Sequence, residues 1–362
     1  MIRTSVLGLA VLFLLAAGTA FAQPTTILVS PVSGSPTMSG TALLNALAGI
    51  IDASASKPYV IKIDPGVYNL GSTQLVMKPY IDIEGSGQTS TSLQGPGNSD
   101  SSFLTGIIKT ASSAELRNLQ VVSQGAGQTT SIGIYVPSGS NTSIRDVTII
   151  AGSASNSWGI RNLAASPILQ NLTINVTGAG NQAYGIGTTS TNARPIIKRT
   201  VINLTGAGAF AYGIYNDGVA APQEMRDLEI SVATSSSGAY GFYIDNFGSG
   251  QTYLLTGSTV TVSGGSSNYG VVFYGGTGGV FNFKTSYIKA TGSSSYGVYS
   301  SFSTGGVSFN HCEVTGTTDS IDGPGTPVFV GASRIAGTVV GSTVACAGAY
   351  NANYAALNTT CH

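Results

Sequence analysis

The chain has 362 residues, with 15 Lys plus Arg balanced by 15 Asp plus Glu, so its formal net charge is zero. Only 8% of the residues are charged, against roughly 25% in an ordinary soluble domain. That balance argues against nucleic acid as a partner, because phosphate contacts need clustered cations. Hydrophobic residues at 42% supply ample core, and Ser, Thr, Gly and Asn do the solubilising, a composition suited to an exported β protein.

The N-terminus carries Arg3, an apolar run from Val6 to Ala17, and Ala20-Phe21-Ala22. This order predicts a cleaved signal peptide over residues 1–22. The apolar run is shorter than the ~20 residues that a membrane span needs. No later segment reads as a transmembrane helix, so the mature chain is expected to be secreted, extracellular or held in the cell envelope.

From Thr41 to Ala55 the apolar residues Leu43, Leu44, Leu47, Ile50 and Ile51 follow a helical period. A β region opens next, at Ile61-Lys62-Ile63-Asp64-Pro65-Gly66-Val67-Tyr68. Between Thr105 and Val298 a glycine followed by a bulky residue then recurs eight times, at intervals of 26 to 29 residues. Trp158-Gly159-Ile160, Tyr184-Gly185-Ile186, Tyr212-Gly213-Ile214 and Tyr240-Gly241-Phe242 are typical. Such a period means stacked structural units.

A second register accompanies the first. Leu116-Arg117-Asn118-Leu119-Gln120-Val121 returns as Ile144 to Ile149, Leu169 to Ile174, Ile197 to Ile202 and Met225 to Ile230, with weaker copies at Leu255, Phe283 and Phe309. Alternation of apolar and polar residues predicts short strands with one buried face. The central Asn or Asp suits a tight bend, because these residues tolerate left-handed backbone angles. Three short strands per repeat, with Gly- and Thr-rich turns between them, predict a solenoid whose strands stack in parallel. Helical solenoids are excluded by the wealth of Gly, Ser, Thr and β-branched residues.

These features resemble the right-handed parallel β-helix of the pectate-lyase-like superfamily, over roughly Ile61 to Val330. The bend residues Asn118, Asp146, Asn171 and Asp227 carry the resemblance, together with the Gly-marked strand and the Pro65-Gly66-Val67-Tyr68 turn. The resemblance implies an all-β, single-stranded right-handed parallel β-helix, here of about ten coils. The expected division is residues 23–330 for the helix with its N-terminal capping helix, and 331–362 for a C-terminal cap. Cys346 and Cys361 would close a short loop in that cap, worth about 3 kcal/mol as a disulfide. Cys312 falls just after a bend, where other coils place Leu119 and Val147, so it is expected in the core.

If the residue after each Gly points inward, the next points outward. That row reads Tyr135, Arg161, Gly187, Tyr215, Tyr243, Val272 and Tyr299. Asp217 and Asp245 follow at one offset in adjacent coils, with Tyr274 in the next. The patch admits three readings: ordinary β surface, carbohydrate binding through Tyr215, Tyr243, Tyr274 and Tyr299, or catalysis by Asp217 and Asp245 with Arg161. Two carboxyls about 5 to 5.5 Å apart match retaining glycosidases, but those acids flank the scissile bond, whereas ladder neighbours point the same way.

The superfamily's enzymes bring motifs that this chain lacks. Arg161 and Arg194 lie in no lyase motif, and Asp-Asp and Gly-His-Gly are absent. Pectin methylesterases use two aspartates on this sheet, but their surrounding Gln and Arg motifs are missing. With His311 at a bend and His362 at the terminus, no His-based metal site or triad assembles. No cofactor is expected, with Ca²⁺ on the two close aspartates as the alternative, a site that would need further oxygen ligands. The Gly-rich run Gly275 to Gly279 has no Lys-Ser/Thr and is not a phosphate loop. The sites Asn141, Asn171, Asn175, Asn203 and Asn358 fit the glycosylation pattern only in a host that glycosylates.

The sequence therefore points to a non-enzymatic extracellular or cell-surface protein, binding glycans such as a polysaccharide or serving a structural or adhesive envelope role. The alternatives are a polysaccharide lyase or glycoside hydrolase acting on the Gly-marked sheet, and a structural spike or fibre component.

Overall fold

The computed structural model describes residues 22–96, 104–125, 127–152, 154–178, 180–189, 193–218, 224–235, 237–247, 250–276, 278–301 and 305–362. The segment read as a signal peptide lies outside them, apart from Ala22. Among the described residues no helix is long and apolar enough to cross a membrane.

The chain winds as a coil with three sides. A typical turn runs along Ile196–Thr205, bends midway at Arg199, and continues into Phe210–Asp217. Each strand pairs in parallel with its counterpart one turn on, as in Ile174↔Ile202 and Ile202↔Ile230. The three stacks form an incoming sheet before the bend, an outgoing sheet after it, and a Gly sheet. Alternate residues turn inward, so Ile149, Ile174, Ile202 and Ile230, all fully buried, rise up the axis as one column of the core.

The solenoid has about eight turns rather than ten. Leu75–Val76 and Ile108–Lys109 supply only two residues each, and Glu313–Gly331 meets Arg334–Ala347 with three register shifts. Parallel solenoid pairing runs beyond residue 330, through Arg334–Ala347.

Every bend residue named from sequence has left-handed angles, with φ of 57° at Asn118, 54° at Asp146, 53° at Asn171 and 55° at Asp227. Arg199, Thr285, His311 and Ala332 adopt the same conformation in their turns, at 46°, 48°, 54° and 45°. The next residue always points inward. Where it is Thr200, Ser258, Ser286 or Ser333, its hydroxyl donates to the carbonyl two residues back, at 2.7 to 3.0 Å. Cys312 occupies the same step, is 4% exposed, and donates from Sγ to the Asn310 carbonyl at 3.4 Å. Burial pushes its thiol pKa up, as for an inert structural cysteine.

The glycine of the repeat is dictated by space. A Cβ on Gly213 would lie 2.5 Å from the Gly241 carbonyl oxygen and 2.5 Å from Ile230 Cγ2. Gly133 and Gly297 meet the same kind of crowding from the core and from the adjoining turn. Only hydrogen fits there.

The N-terminal helix spans Pro36–Gly49, five residues earlier than its apolar pattern suggests. Ser35 caps it by accepting from the Met38 N–H, and Pro36 occupies the first turn, where a missing N–H costs nothing. Leu43 and Leu47 plug the core, whereas Ile51 lies beyond the helix and is 91% exposed. At the other end Cys346 and Cys361 are disulfide-bonded with Cα atoms 5.4 Å apart, and Cys361 is buried.

Candidate functional site

The Gly sheet breaks strict alternation once per turn. Trp158 pairs with Tyr184 and Ile160 with Ile186, while the Cβ direction of Gly159 between them points into the core. Glycine and the following apolar residue both face inward, so residues on either side of this pair both face outward. Two outward aromatic rows result, of which the sequence reading assigned only the second.

The first row is a continuous ladder. Trp158 stacks on Tyr184 at 3.6 Å, Tyr184 on Tyr212 at 5.0 Å, and Tyr212 on Tyr240 at 5.0 Å. Tyr240, Tyr269 and Tyr296 continue it at 5.2 Å per step, with ring planes within 9°. In the second row Tyr215 stacks on Tyr243 at 5.6 Å. Edge-on contacts join the rows, such as Tyr212 with Tyr215 at 5.2 Å and Tyr240 with Tyr243 at 5.2 Å. Ile132, Tyr135, Trp158, Tyr184 and Tyr212 thereby form a second apolar cluster outside the main core.

Stacking along the axis covers the ring faces. Burial raises the pKa of Tyr184, Tyr212 and Tyr243. Tyr215 is pushed up to about 12 by burial and by the charges of Asp217 and Asp245. Tyr274, 53% exposed at the edge of the second row, keeps an open face and lies 6.3 Å from Tyr243. Tyr299 meets Tyr269 and Tyr296 edge-on, both at 5.8 Å.

Asp217 and Asp245 are register partners on adjacent turns, with Tyr274 next in line. The Asn246 amide donates to Asp217 Oδ1 at 3.4 Å. Burial first, and the Asp217 charge second, raise the pKa of Asp245, while the Asn246 backbone N–H partly opposes them. Both carboxyls project from the same sheet surface. They form one polar edge beside Tyr215 and Tyr243 rather than two walls of a cleft.

Arg161 shares this face, pairing with Tyr135 on one side and Gly187 on the other. Its guanidinium lies 4.8 Å from the Trp158 ring, and burial lowers its pKa. Two register steps, about 10 Å along the axis, separate its turn from that of Asp217. The structure therefore brings Arg161, Asp217 and Asp245 onto one surface. Arg194 is exposed at the corner leading into Ile196–Thr205, away from them.

The second row extends two residues past each end of its sequence reading, to Lys109 and Val76 on one side and to Asp322 and Val340 on the other. Lys109 pairs with Tyr135, its Nζ 6.0 Å from that ring, and Asp322 pairs with Tyr299. Lys109 follows its glycine, Gly106, by three residues where Tyr135 follows Gly133 by two, and Asp322 lies past the last Gly repeat, so sequence offsets did not reach them. A second charged feature that the sequence reading missed lies on the incoming sheet. Arg117 bonds Asp82 at 3.3 Å, Glu84 at 2.9 Å, and Glu115, which Arg145 also engages. Burial pushes Glu115 up, but Arg145 and Arg117 outweigh it and hold the carboxyl below its ordinary range. These charges satisfy one another as a structural network. Among the described residues no group of three or more His, Cys, Asp or Glu could hold a metal ion.

Parallel pairing throughout, three sheets per turn and an inward apolar column define the architecture. The chain is a right-handed parallel β-helix. No family model matches it, and no curated protein does. Solved structures resemble it at low identity. The A-module of a mannuronan C-5 epimerase from Azotobacter vinelandii is 12% identical, with a TM-score of 0.41, covering 89% of this chain and 88% of that chain. Pectin methylesterase from carrot is 13% identical, with a TM-score of 0.43 and coverages of 82% and 84%. The enzymatically active domain of a tailspike protein of bacteriophage CBA120 is 12% identical, with a TM-score of 0.44, covering 83% of this chain and 50% of that chain. These likenesses concern fold alone.

Proposed function

We propose that this β-helix is secreted or held in the cell envelope, where it binds glycans on its Gly sheet without cleaving them. One observation carries the reading: Asp217 and Asp245 are ladder partners that point the same way, in line with Tyr215 and Tyr243. Acids placed so cannot flank a glycosidic bond, as acid and base or acid and nucleophile must. They can accept hydrogen bonds from hydroxyls of an extended chain lying along the solenoid axis. Tyrosine hydroxyls add donors at the same ~4.8 Å repeat, and Tyr274 offers a ring face for a sugar to pack on. The charged n-region, apolar run and Ala20-Phe21-Ala22 support export.

A second reading, a polysaccharide lyase or glycoside hydrolase, is favoured by Arg161 on the same face and by the raised Asp245 carboxyl. A glycan array probed with the wild-type chain and with an Asp217→Asn/Asp245→Asn variant tests the binding reading. Retention of a polysaccharide by the wild type, weakened in the variant, supports it. Absence of binding across neutral, acidic and amino sugars defeats it.

A further inference from the structure

We infer that two copies of this chain pair face to face through their Gly sheets, with solenoid axes antiparallel, about a two-fold axis at Tyr215. The second outward row carries the inference. Lys109 lies four register steps before Tyr215, through Tyr135, Arg161 and Gly187. Asp322 lies four steps after it, through Tyr243, Val272 and Tyr299. A cation and a carboxylate thus stand at equal distances from the centre of one row, each followed by a valine, Val76 beyond Lys109 and Val340 beyond Asp322.

A two-fold axis running along the strands inverts the solenoid axis but keeps each row opposite itself. Lys109 then meets Asp322 of the partner subunit, and Asp322 meets the partner's Lys109. Tyr135 meets the partner's Tyr299, and Tyr215 meets its own copy. Parallel pairing would instead set Lys109 against Lys109 and Asp322 against Asp322, so charge selects the inverted arrangement. Lys109 and Asp322 are both partly exposed, as a pairing role requires. Arg161 adds positive charge to the Lys109 half, whereas Asp217 and Asp245 add negative charge to the Asp322 half. The tyrosines that stay partly exposed, Tyr215, Tyr240, Tyr243, Tyr269, Tyr296 and Tyr299, lie between these charges, as aromatic residues do at the centre of an interface.

Eight steps of about 4.8 Å make the strip ~38 Å long, and its strands make it about 20 Å wide. Pairing covers the face assigned above to glycans, so the dimer and a bound polymer exclude each other. The inference is otherwise independent of that assignment.

Sedimentation velocity on the purified chain, from low to high micromolar concentration, tests it. The wild type is expected to dimerise reversibly and to weaken as salt rises. Lys109→Glu and Asp322→Lys should each raise the dissociation constant about tenfold or more, and the Lys109→Glu/Asp322→Lys double variant should restore the dimer. Unchanged circular dichroism and melting temperature confirm that each variant folds. A wild type that stays monomeric overturns the proposal. So does a dimer indifferent to the single reversals, or one that the double reversal leaves broken. Glycan retention on the array is read separately, so loss of the dimer leaves the binding reading intact, and the converse also holds.

Discussion

Tyr212 stacks on Tyr240 with ring centroids 5.0 Å apart and planes 10° from parallel, and neither ring belongs to the core. The contact is one rung of the ladder from Trp158 to Tyr296, built because each turn places the residue before its glycine above the last. Aromatic pairs contribute about 0.5 to 1.5 kcal/mol beyond area burial. A double-mutant cycle on Tyr212→Ala and Tyr240→Ala, followed by urea unfolding, should give a coupling energy in that range. A coupling near zero would mean that the rings adjoin without supporting each other.

The spatial demand on the repeat glycines gives a sharp contrast. Gly213→Ala puts a methyl against the Gly241 carbonyl and Ile230 and should destabilise by about 1 to 3 kcal/mol. Gly49→Ala, at the end of the cap helix with no atom near its Cβ position, should be neutral or stabilise by up to ~1 kcal/mol. Equilibrium denaturation of the two variants checks both signs.

Arg199 holds a left-handed conformation at a bend where Asn118, Asp146, Asn171 and Asp227 serve other turns. A long side chain gains little there, and the conformation costs roughly 1 to 2 kcal/mol for residues other than Gly, Asn and Asp. Arg199→Asn should therefore raise stability by about 0.5 to 1 kcal/mol, whereas Asn171→Val should lower it by more. Melting temperatures of both variants would show the opposite shifts.

Asp245 supplies a pH signature. Its folded pKa is raised, by burial and then by Asp217, so the native state keeps a proton that the unfolded chain has released. Stability from this group is therefore lost as pH rises from the ordinary aspartate value through the raised folded one. At neutral pH, Asp245→Asn should stabilise by a few tenths of a kcal/mol, because solvent screens a partly exposed pair. Below the ordinary aspartate pKa the wild type and the variant should melt alike. A gain that persists in acid would assign the effect to packing rather than charge.

The bends at Asn118, Asp146, Asn171 and Asp227 were legible because few residue types tolerate left-handed angles and the offsets repeat. Cys312 was legible as a core residue because its place relative to the bend fixes the side of the strand it occupies. The Trp158-to-Tyr296 row was not, because one inward-facing glycine per turn shifts the phase of a strand, and simple alternation then sends the preceding residue to the wrong side. Lys109 escaped because its strand is one residue out of step with its glycine, Gly106, and Asp322 because its strand lies past the last Gly repeat. The Arg117 network joins residues about 30 positions apart, a distance at which pairing register, and not local pattern, decides contact. The cap helix was displaced because Leu43 and Leu47 continue smoothly into Ile50 and Ile51, which lie beyond its C-terminus.

The most direct test of glycan binding without cleavage is a prolonged incubation of the wild-type chain with the polysaccharide it retains best. New reducing ends and unsaturated products are counted together with the fraction of polymer still bound. Continued retention with neither product accumulating is the predicted result. Steady release that disappears in Asp217→Asn/Asp245→Asn would contradict it and make the Gly sheet an active site.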